Sequence, residues 1–426
     1  MKTQQTEGHL INTLKDCEDK EMVNIIGLGY IGLPTALMMA SHGIQVVGTA
    51  HSSEKVDQLL AGKVTFKEDG LQDLFEAATA KDIRFTTEYV ESDIYVIAVP
   101  TPYDKDSHEI DASFVVDAVN SVLDVCPNGS TIVIESTISP GTVEKYVYPA
   151  ARAKGKEPNV DVHFAHAPER IIPGNMIYEL EHNSRTIGAE SKEVAEKVKA
   201  IYASFCKGEI VITDIKTAEM TKVVENTFRD INIAFANELA KICREGGMDV
   251  YEIIRIANKH PRVNILSPGP GVGGHCISVD PWFLVGDYPE QSKLIHQARK
   301  INDSMPMFVL ERTKSIMNEL GISDLTRVGL YGLTYKENVD DVRESPTLQL
   351  LEYMSENGMP AMPVYDPMVQ KDIVHNQYHD LDKFLADVDM VIVMVGHSQL
   401  KNNPELLGDK PVLDTRNIFK GEAYKL

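Results

Sequence analysis

The segment Gly273-Gly274-His275-Cys276-Ile277-Ser278-Val279-Asp280-Pro281 places one cysteine behind two glycines and four residues before an acid. The thiolate is the nucleophilic form of cysteine, and a nearby positive charge or a helix N-terminus stabilises it. Pro281 is suited to the first turn of a helix, so this loop leads into a predicted helix N-terminus. We therefore predict that Cys276 is a candidate nucleophile.

A second group of chemically useful side chains has helical spacing. Lys222, Asn226 and Arg229 are four and three residues apart, so they share one stripe of a predicted helix. The stripe faces either a reaction site or solvent, and solvent is the usual position of charged residues on a helix. Spacing alone leaves both interpretations open.

The sequence Gly27-Leu28-Gly29-Tyr30-Ile31-Gly32 is a G-x-G-x-x-G loop between a strand pattern and a helix pattern. Such a loop lets the pyrophosphate of a dinucleotide approach a helix N-terminus, although the same glycines could only form a tight turn. The acid that normally binds the ribose hydroxyls about 20 residues later is missing. Ala50 stands there, which leaves tolerance of NADP open. We expect NAD as the cofactor, because no arginine lies in that turn.

The elements that must position these residues follow an α/β pattern. Short β-branched runs alternate with amphipathic segments from Met22 to Asp214, and the alternation resumes at Arg327. About 30 residues after Asp214 have helical periodicity and predict one long connecting helix. We expect two doubly wound α/β domains joined by this helix and a helical middle domain. The predicted boundaries are 1–20 for a flexible extension, 21–214 and 319–426 for the α/β domains, and 215–318 for the middle domain.

Composition excludes several classes of protein. The 426 residues include 42 basic and 63 acidic side chains, and the net charge of -21 disfavours binding to nucleic acid or an anionic membrane. No apolar run approaches the roughly 18 residues that cross a bilayer. Five scattered cysteines without a C-x-x-C pair predict neither disulfides nor a metal site, and those other than Cys276 are interpreted as mostly buried. We expect a cytoplasmic protein.

Several ordered motifs resemble one family. GLGYIGLP, AVPTP, ESTISPGT, HAPERIIPG, the TKVVENTFRDINIAFANELA helix, GVGGHCISVDP, GLTYKENVDDVRESP and DTRN make the chain similar to the UDP-glucose/UDP-N-acetylmannosamine dehydrogenases from Met22 to Asn417. The resemblance implies an N-terminal Rossmann-like domain for NAD, a dimerising helical domain, a C-terminal Rossmann-like domain for UDP, and a homodimer or larger assembly. It also implies a role in polysaccharide biosynthesis.

The resemblance further implies the substrate. HAPER replaces the Asn-Pro-Glu-Phe of the UDP-glucose branch, so we expect oxidation at C6 of a UDP-N-acetylhexosamine. UDP-N-acetyl-D-mannosamine is favoured, and UDP-N-acetylglucosamine and UDP-glucose are alternatives. A two-electron alcohol dehydrogenase and a catalytically silent nucleotide-sugar-binding protein are more remote alternatives.

The resemblance assigns residues in three groups. The NAD contacts implied are Gly27, Gly29, Tyr30, Ile31, Gly32, Thr101, Thr137 and Arg416. The substrate contacts implied are Arg170, Ile171, Lys222, Asn226, Arg229, His260, Arg262, Gly273, Tyr335, Lys336 and Arg343, with His260 and Arg262 serving the neighbouring subunit's site. The catalytic residues implied are Cys276, Lys222, Asn226, Asp280 and Glu169.

The implied mechanism is a four-electron oxidation. Lys222 removes the hydroxyl proton, and Cys276 then carries a thiohemiacetal and a thioester. Lys222 and Asn226 stabilise the oxyanion, while Asp280 and Glu169 orient or activate water. From the residues alone, Glu169 and Asp280 could instead cap helices, and Lys336 and Arg343 could belong to a solvated loop.

Overall fold

The computed structural model describes residues 21–274, 276–421 and 423–426, so the predicted extension of residues 1–20 lies outside the described residues. The chain divides into two compact units. The first contains the described residues up to Asp106 together with Ile110–Val223. The second contains Ser107–Glu109 together with Val224–Leu426.

The first unit is built on a sheet with the strand order β3-β2-β1-β4-β5-β6-β7-β8. Its strands are β1 Met22–Ile26, β2 Gln45–Thr49, β3 Arg84–Thr86, β4 Ile94–Ile97, β5 Thr131–Ile134, β6 His163–His166, β7 Arg185–Ala189 and β8 Ile210–Thr213. Neighbouring strands are parallel except β6 and β7, which are antiparallel. The first six strands therefore have the order of a doubly wound dinucleotide-binding sheet.

Helices cover this sheet. They are α1 Gly32–Ser41, α2 Ser53–Leu60, α3 Leu71–Thr79, α4 Ser113–Val125, α5 Tyr148–Ala153, α6 Met176–His182 and α7 Lys192–Tyr202, with a π-helical turn at Val143–Val147. Every residue of β4 and β5 is buried, as expected of parallel strands with helices on both faces. Such strands are near-continuous apolar runs, which is why the sequence revealed them.

One long helix, α8, spans Ile215–Glu245 and begins in the first unit and ends in the second. Its 31 residues extend about 46 Å. Asp214 starts it by accepting hydrogen bonds from the Thr217 amide and hydroxyl at 2.9 and 2.6 Å. Gly247 ends it with a positive φ of 65°, and the Met248 amide bonds back to the Cys243 carbonyl at 2.8 Å. The predicted helix of about 30 residues is confirmed.

The second unit continues with helices and closes with a second sheet. Its further helices are α9 Val250–Ala257, α10 Asp280–Asp287, α11 Lys293–Asp303, α12 Met305–Leu320, α13 Pro346–Glu356, α14 Leu381–Asp387 and α15 Ser398–Asn402, with 3-10 turns at Leu325–Arg327 and Pro404–Leu407. Its strands are β9 Val328–Tyr331, β10 Val364–Tyr365, β11 Gln377–Tyr378, β12 Met390–Val393, β13 Val412–Asp414 and β14 Tyr424–Lys425.

This second sheet has the order β11-β10-β9-β12-β13-β14, and its neighbouring strands are all parallel. Counted from β9, the order repeats that of the first six strands of the chain. The prediction of two doubly wound α/β sheets joined by a long helix and a helical segment is therefore confirmed. Within the described ranges, no helix is long and apolar enough to span a membrane.

Candidate active site

The glycine loop joins β1 to α1 and shows which glycines the fold itself requires. Gly27 has a φ of 96°, and a Cβ there would collide with the Ala98 carbonyl. A Cβ on Gly32 would collide with the Gly27 carbonyl. A Cβ on Gly29 would meet nothing within 4 Å, so no protein atom explains this glycine. The open space at Gly29, beside the N-terminus of α1, fits the approach of a pyrophosphate.

The remaining residues predicted to contact the cofactor in the first unit lie at the same edge. Tyr30 and Ile31 are partly buried in the glycine loop, and the Tyr30 ring centroid lies 4.4 Å from that of Phe66. Thr101 and Thr137 follow β4 and β5. Because β1, β4 and β5 are parallel, their carboxyl ends meet at one edge of the sheet, where a doubly wound fold binds its ligand.

Ser136 ties these two loops together, and sequence reasoning missed it. Its hydroxyl accepts a hydrogen bond from the Val99 amide at 2.9 Å and donates to the Val99 carbonyl at 2.7 Å. The chain after β4 is thereby fixed to the chain after β5. Ser136 precedes Thr137, so the threonine inherits this fixed position.

Ala50 directly follows β2 and is 4% exposed. Its amide bonds to the Thr86 carbonyl at 3.0 Å, and Ser52, two residues later, caps α2 by accepting from the Lys55 amide. The backbone at the end of β2 is therefore regular. This site therefore differs from the usual pattern only in its side chain, which is alanine instead of an acid.

Glu169 lies after β6 and does not cap a helix, which was one of the two interpretations left open. Its carboxylate pairs with Arg185 and accepts a hydrogen bond from the Arg170 amide at 2.6 Å. Arg185 also pairs with Glu135 at 3.2 Å. Burial raises the pKa of Glu135 to about 7, against the lowering effect of Arg185. Sequence reasoning missed Glu135 and Arg185, although an arginine at the start of an apolar strand signals a buried partner.

The two neighbours of Glu169 that were predicted to contact substrate occupy different environments. The Arg170 guanidinium donates to the Ser184 carbonyl at 2.5 Å and to the Thr186 hydroxyl at 3.0 Å. Ile171 is 7% exposed and belongs to the apolar core of the first unit. Arg170 therefore has protein partners that fix its orientation.

Cys276 is exposed and lies one turn before α10. Its carbonyl accepts hydrogen bonds from the Val279 amide at 3.2 Å and the Asp280 amide at 2.9 Å. The thiol thus stands at the N-terminal end of a helical segment, where the aligned peptide dipoles favour a negative charge. The other described cysteines, Cys126, Cys206 and Cys243, are buried and free, and Cys17 lies outside the described residues.

Asp280 is the first residue of α10 and not its N-cap, which is Val279. Its carboxylate is 2% exposed and accepts a hydrogen bond from the Asn226 side-chain amide at 2.6 Å. The bond fixes which face of the Asn226 amide is available for another partner. Asp280 therefore connects the cysteine loop to α8.

The stripe on α8 is not a solvated face at two of its three positions. Lys222 is 6% exposed and Asn226 is 5% exposed, whereas Arg229 is exposed. Burial of a lysine is uncommon because desolvation of its charge is costly, and it usually accompanies a specific partner or function. Exposure at Arg229 shows that helical spacing alone did not predict burial.

Four residues predicted to bind substrate lie along the loop after β9 and beside the cysteine loop. The Gly274 amide donates to the Arg343 carbonyl at 2.9 Å, and a Cβ on Gly273 would lie 2.7 Å from the Tyr335 Cβ. Gly273, Tyr335 and Arg343 are thus neighbours. Arg343 pairs with the buried Asp341 at 2.6 Å and stays 44% exposed, and Lys336 is partly buried.

A buried network that sequence reasoning missed holds this loop. Asp366, after β10, accepts from the Leu333 and Thr334 amides at 2.6 and 3.1 Å, and its carboxylate lies 3.1 Å from the His397 ring. His397 Nδ1 accepts from the Asn338 amide at 3.0 Å. Burial alone would raise the pKa of Asp366, but the hydrogen bonds from His397 and from the Leu333 and Met368 amides outweigh it, so the pKa is lowered.

Arg416, predicted to reach the cofactor, follows β13. Its Nε donates to the Met394 carbonyl at 2.8 Å, and a Cβ on Gly269 would lie 3.0 Å from its Nη1. His260 and Arg262 are exposed on the loop after α9. Asn258 fixes this loop by bonding the Ile265 amide and carbonyl at 2.8 and 2.9 Å.

A second buried polar network, which the sequence did not predict, contacts the cysteine loop at the Ile277 carbonyl. Arg299, 1% exposed, pairs with Asp230 at 2.6 Å and reaches the Ile277 carbonyl at 3.5 Å. Asn302 donates to Asp230 at 2.8 Å and accepts from Asn237 at the same distance. The network ties α8 to α11 beneath the residue that follows Cys276. The sequence did not predict this network, because polar residues on an amphipathic helix are usually exposed to solvent.

Three family models match successive parts of this arrangement. They are the NAD binding domain of the UDP-glucose/GDP-mannose dehydrogenase family over residues 21–206, its central domain over 216–304, and its UDP binding domain over 329–421. The chain belongs to the UDP-glucose/GDP-mannose dehydrogenase family. The predictions of an NAD cofactor and of an NAD-dependent UDP-sugar dehydrogenase are thereby confirmed at the level of this family.

Individual members of the family extend the comparison. The chain is 43% identical over 413 residues to the UDP-N-acetyl-D-mannosamine dehydrogenase of Methanococcus vannielii, with 94% of each chain covered. The structure of the UDP-N-acetyl-mannosamine dehydrogenase Cap5O from Staphylococcus aureus is 40% identical, with a TM-score of 0.85 over 95% of this chain and 98% of that one. The UDP-D-ManNAc dehydrogenase structure from Pyrococcus horikoshii is 37% identical, with a TM-score of 0.87 over 94% and 97%.

Proposed function

We propose that the chain oxidises C6 of UDP-N-acetyl-D-mannosamine from the alcohol to the carboxylate, giving UDP-N-acetyl-D-mannosaminuronate and two NADH. The similar proteins from Methanococcus, Staphylococcus and Pyrococcus carry the name of this substrate. The HAPER motif points to the same branch of the family. UDP-N-acetylglucosamine and UDP-glucose are the competing substrates.

The observation that carries the proposal is the position of Cys276. An exposed thiol at the N-terminal end of a helical segment, one turn before the buried Asp280, suits a nucleophile. An alcohol dehydrogenase that stops at the aldehyde needs no such thiol. A thiol that captures the aldehyde lets the second oxidation proceed through a covalent acyl intermediate, which water then hydrolyses, and Cys276 provides that thiol.

The first oxidation needs a base and an orienting group. Lys222 takes the proton of the C6 hydroxyl, directly or through a water molecule, and its burial limits competition from bulk solvent. Asn226, held by Asp280, presents its remaining amide positions to the substrate oxygen. Gly29, Tyr30, Ile31, Thr101, Thr137 and Arg416 are the residues proposed to hold NAD, which when bound would supply the hydride acceptor for each oxidation.

The second half of the reaction passes through the thiol. The Cys276 thiolate attacks the C6 aldehyde and forms a thiohemiacetal, whose oxidation leaves a thioester. Water attacks the thioester carbon, the carbon-sulfur bond breaks, and the carboxylate leaves with regeneration of the thiol. Glu169 accepts the proton of that water, and Lys222 and Asn226 stabilise the oxyanion formed during the attack.

Cations bind the diphosphate of the substrate in this acidic chain. Arg343 and Lys336 on the loop after β9, together with Arg229 and Arg262, supply the positive charge. Arg170, Ile171, His260, Gly273 and Tyr335 complete the proposed substrate contacts. The division into domains at 21–214, 215–318 and 319–426 remains part of this proposal.

We also propose a homo-oligomer, because α8 has an exposed apolar stripe. Val224, Phe228, Phe235 and Ile242 lie on one side of the helix and are 46%, 66%, 49% and 54% exposed. A stripe of this size on a long helix favours pairing with the same helix of a second chain. Such pairing would bring the exposed His260 and Arg262 loop to a neighbouring subunit.

A reducing, cytoplasmic location suits a thiol nucleophile.

The test is the number of NADH formed per sugar. Purified protein is given UDP-N-acetylmannosamine, UDP-N-acetylglucosamine or UDP-glucose in limiting amount with NAD, and Cys276→Ser is assayed alongside. We expect two NADH per UDP-N-acetylmannosamine and no uronate from the variant. Cys243→Ala, which changes a buried thiol, serves as the control and keeps both products.

Three outcomes would contradict the proposal. One NADH per sugar would point to a two-electron dehydrogenase, whereas uronate formation that survives loss of the Cys276 thiol would contradict the thioester pathway. Binding of all three nucleotide sugars without any NADH would point to a silent binding protein.

A further inference from the structure

Arg185 lies between two buried carboxylates of the first unit. Its Nη2 pairs with Glu169 and its Nη1 pairs with Glu135 at 3.2 Å. All three side chains are at most 7% exposed. The Tyr202 hydroxyl donates to the same Glu135 oxygen at 3.1 Å, and the Arg185 guanidinium lies 4.2 Å from the Tyr202 ring centroid.

The sheet topology produces this arrangement. β7 is antiparallel to β6, with His166 opposite Gly188. The same register, continued three residues beyond His166, brings Glu169 opposite Arg185. Glu135 follows β5, which is parallel to β6, so it reaches the same edge of the sheet. Because β7 runs antiparallel to β6, its first residue, Arg185, lies at the edge of the sheet where β5 and β6 end.

The charges in this cluster do not balance when both acids are ionised. One guanidinium faces two carboxylates, and neither Tyr202 nor Cys206, which also act on Arg185, adds positive charge. The neighbouring Arg170 guanidinium donates to the Ser184 carbonyl and the Thr186 hydroxyl. Burial raises the pKa of Glu135 to about 7, and the neighbouring Glu169 adds to this. Among the described residues, Glu135 Oε2 has no hydrogen-bond partner. Glu135 therefore changes its charge near neutral pH.

We propose that Arg185 and Glu135 are positioning residues for thioester hydrolysis: Arg185 orients the Glu169 carboxylate, and Glu135 controls how much of the guanidinium charge Glu169 keeps. This inference rests on the proposed function, because that function assigns Glu169 to the attacking water. Below neutral pH, Glu135 is protonated and Arg185 pairs with Glu169 alone. Above it, two carboxylates share Arg185, and Glu169 is freer to accept a proton from water.

Three substitutions separate this role from simple support of the fold. Glu135→Gln is nearly isosteric and fixes the neutral state, so hydrolysis should keep its low-pH rate at every pH. Tyr202→Phe removes a donor that lowers the pKa of Glu135, so the rise in rate should move up by about one pH unit. Arg185→Lys keeps the positive charge but cannot donate to Glu135 and Glu169 at the same time in the geometry of a guanidinium. Hydrolysis should therefore be slow throughout the pH range.

The experiment measures thioester occupancy and turnover together. Each enzyme is mixed with UDP-N-acetylmannosamine and excess NAD from pH 6 to 9 and then quenched, and intact-protein mass spectrometry gives the acylated fraction of Cys276. At pH 8.5 we expect Glu135→Gln to turn over about five- to tenfold more slowly than wild type and to accumulate thioester. At pH 6 the two should agree within about twofold. Glu157→Gln, an exposed carboxylate paired with Arg152, is the control.

The outcomes separate this inference from the proposed function. A wild-type enzyme that forms neither NADH nor a Cys276 adduct contradicts the proposed function. A wild-type enzyme that forms both, beside Glu135→Gln and Tyr202→Phe variants with its own pH profile, contradicts the role of Glu135. If Arg185→Lys does not fold, the other two variants still decide the question.

Discussion

Ala50 is the residue at which the cofactor site departs from a common pattern. A carboxylate at the end of the second strand normally accepts hydrogen bonds from the ribose hydroxyls and repels the 2′-phosphate of NADP. Ala50 supplies neither effect, although its amide keeps a backbone hydrogen bond to the Thr86 carbonyl. Choice between the two cofactors therefore depends on weaker features of the loop.

We predict that Ala50→Asp increases the preference for NAD over NADP by about tenfold or more, because it restores both the hydroxyl acceptor and the charge repulsion. The ratio of kcat/KM for the two cofactors measures the effect. Ala50→Asn, which has nearly the same size without the charge, should strengthen NAD binding while changing the ratio much less. Equal ratios for both variants would show that charge at this position does not determine the choice.

Individual residues were predictable where a local motif fixed them. The glycine loop and the exposed Cys276 follow from short segments whose spacing has a physical reason. Arg185 was not predictable in this way, because its partners Glu135 and Glu169 lie 50 and 16 positions away and meet it only through the strand order. The role of Arg229 was also uncertain, since helical spacing gave it the same stripe as two buried residues.

The contact between α8 and the turn after β5 depends on one buried acid. Glu219, 0% exposed, accepts hydrogen bonds from the Gly141 and Val143 amides at the start of the π-helical turn. These donors lower its pKa, but burial has the larger effect and raises the pKa to about 7 from an ordinary value of 4.5. Folding therefore favours the protonated acid.

The pH dependence follows from this sign. The stabilising contribution of Glu219 is fully present below pH 4.5 and is lost as the pH rises through about 7, a change of up to about 3 kcal/mol. We predict that wild type loses stability relative to Glu219→Gln between pH 5 and pH 8. Urea unfolding of both proteins at several pH values measures the difference. A constant difference would mean that Glu219 titrates as it does in the unfolded chain.

The connection between α8 and α11 depends on a buried ion pair. We predict that Arg299→Met lowers the free energy of unfolding by about 3 to 5 kcal/mol, because Asp230 would remain buried without its main cation. Adding Asp230→Asn should recover part of the loss. Urea denaturation of the single and double variants measures both effects. The exposed pair of Arg152 and Glu157 is the control, and Arg152→Met should change stability little.

Elements as such were largely predictable from the sequence. Buried parallel strands appear as continuous apolar runs, and the long helix has a clear 3.6-residue period with an acid before it and two glycines after it. The short strands β11 and β14, of two residues each, escaped notice because two residues carry no periodicity. β7 escaped because it begins with an arginine, and its antiparallel direction was outside the expected pattern.

At the scale of the whole molecule, the apolar stripe on α8 has a testable consequence. We predict that Phe228→Glu with Phe235→Glu converts the oligomer to a smaller species, since each change acts twice across a two-fold interface. Burial of each phenylalanine contributes roughly 1.5 to 3 kcal/mol. Light scattering during size-exclusion chromatography measures the mass. Leu60→Glu changes an equally exposed residue of α2 and should leave the mass unchanged.

Activity should follow the assembly if His260 and Arg262 act on a neighbouring site. The double phenylalanine variant would then lose turnover in proportion to its loss of oligomer. A variant of unchanged mass would locate the interface elsewhere on the chain. A smaller species of full activity would show that each chain carries a complete site.

Helix α8 also constrains how this protein can be dissected. A fragment that stops at Val223, the boundary between the two units, keeps only nine residues of the helix, and so short a helix is marginal without its continuation. It also ends directly after Lys222. A fragment that stops at Gly247 keeps the helix with both of its natural ends, but it carries the apolar stripe into solution. We therefore expect a cofactor-binding fragment that ends at Val223 to have a partly unfolded C-terminal helix. A fragment that ends at Gly247 should instead self-associate through the exposed apolar stripe.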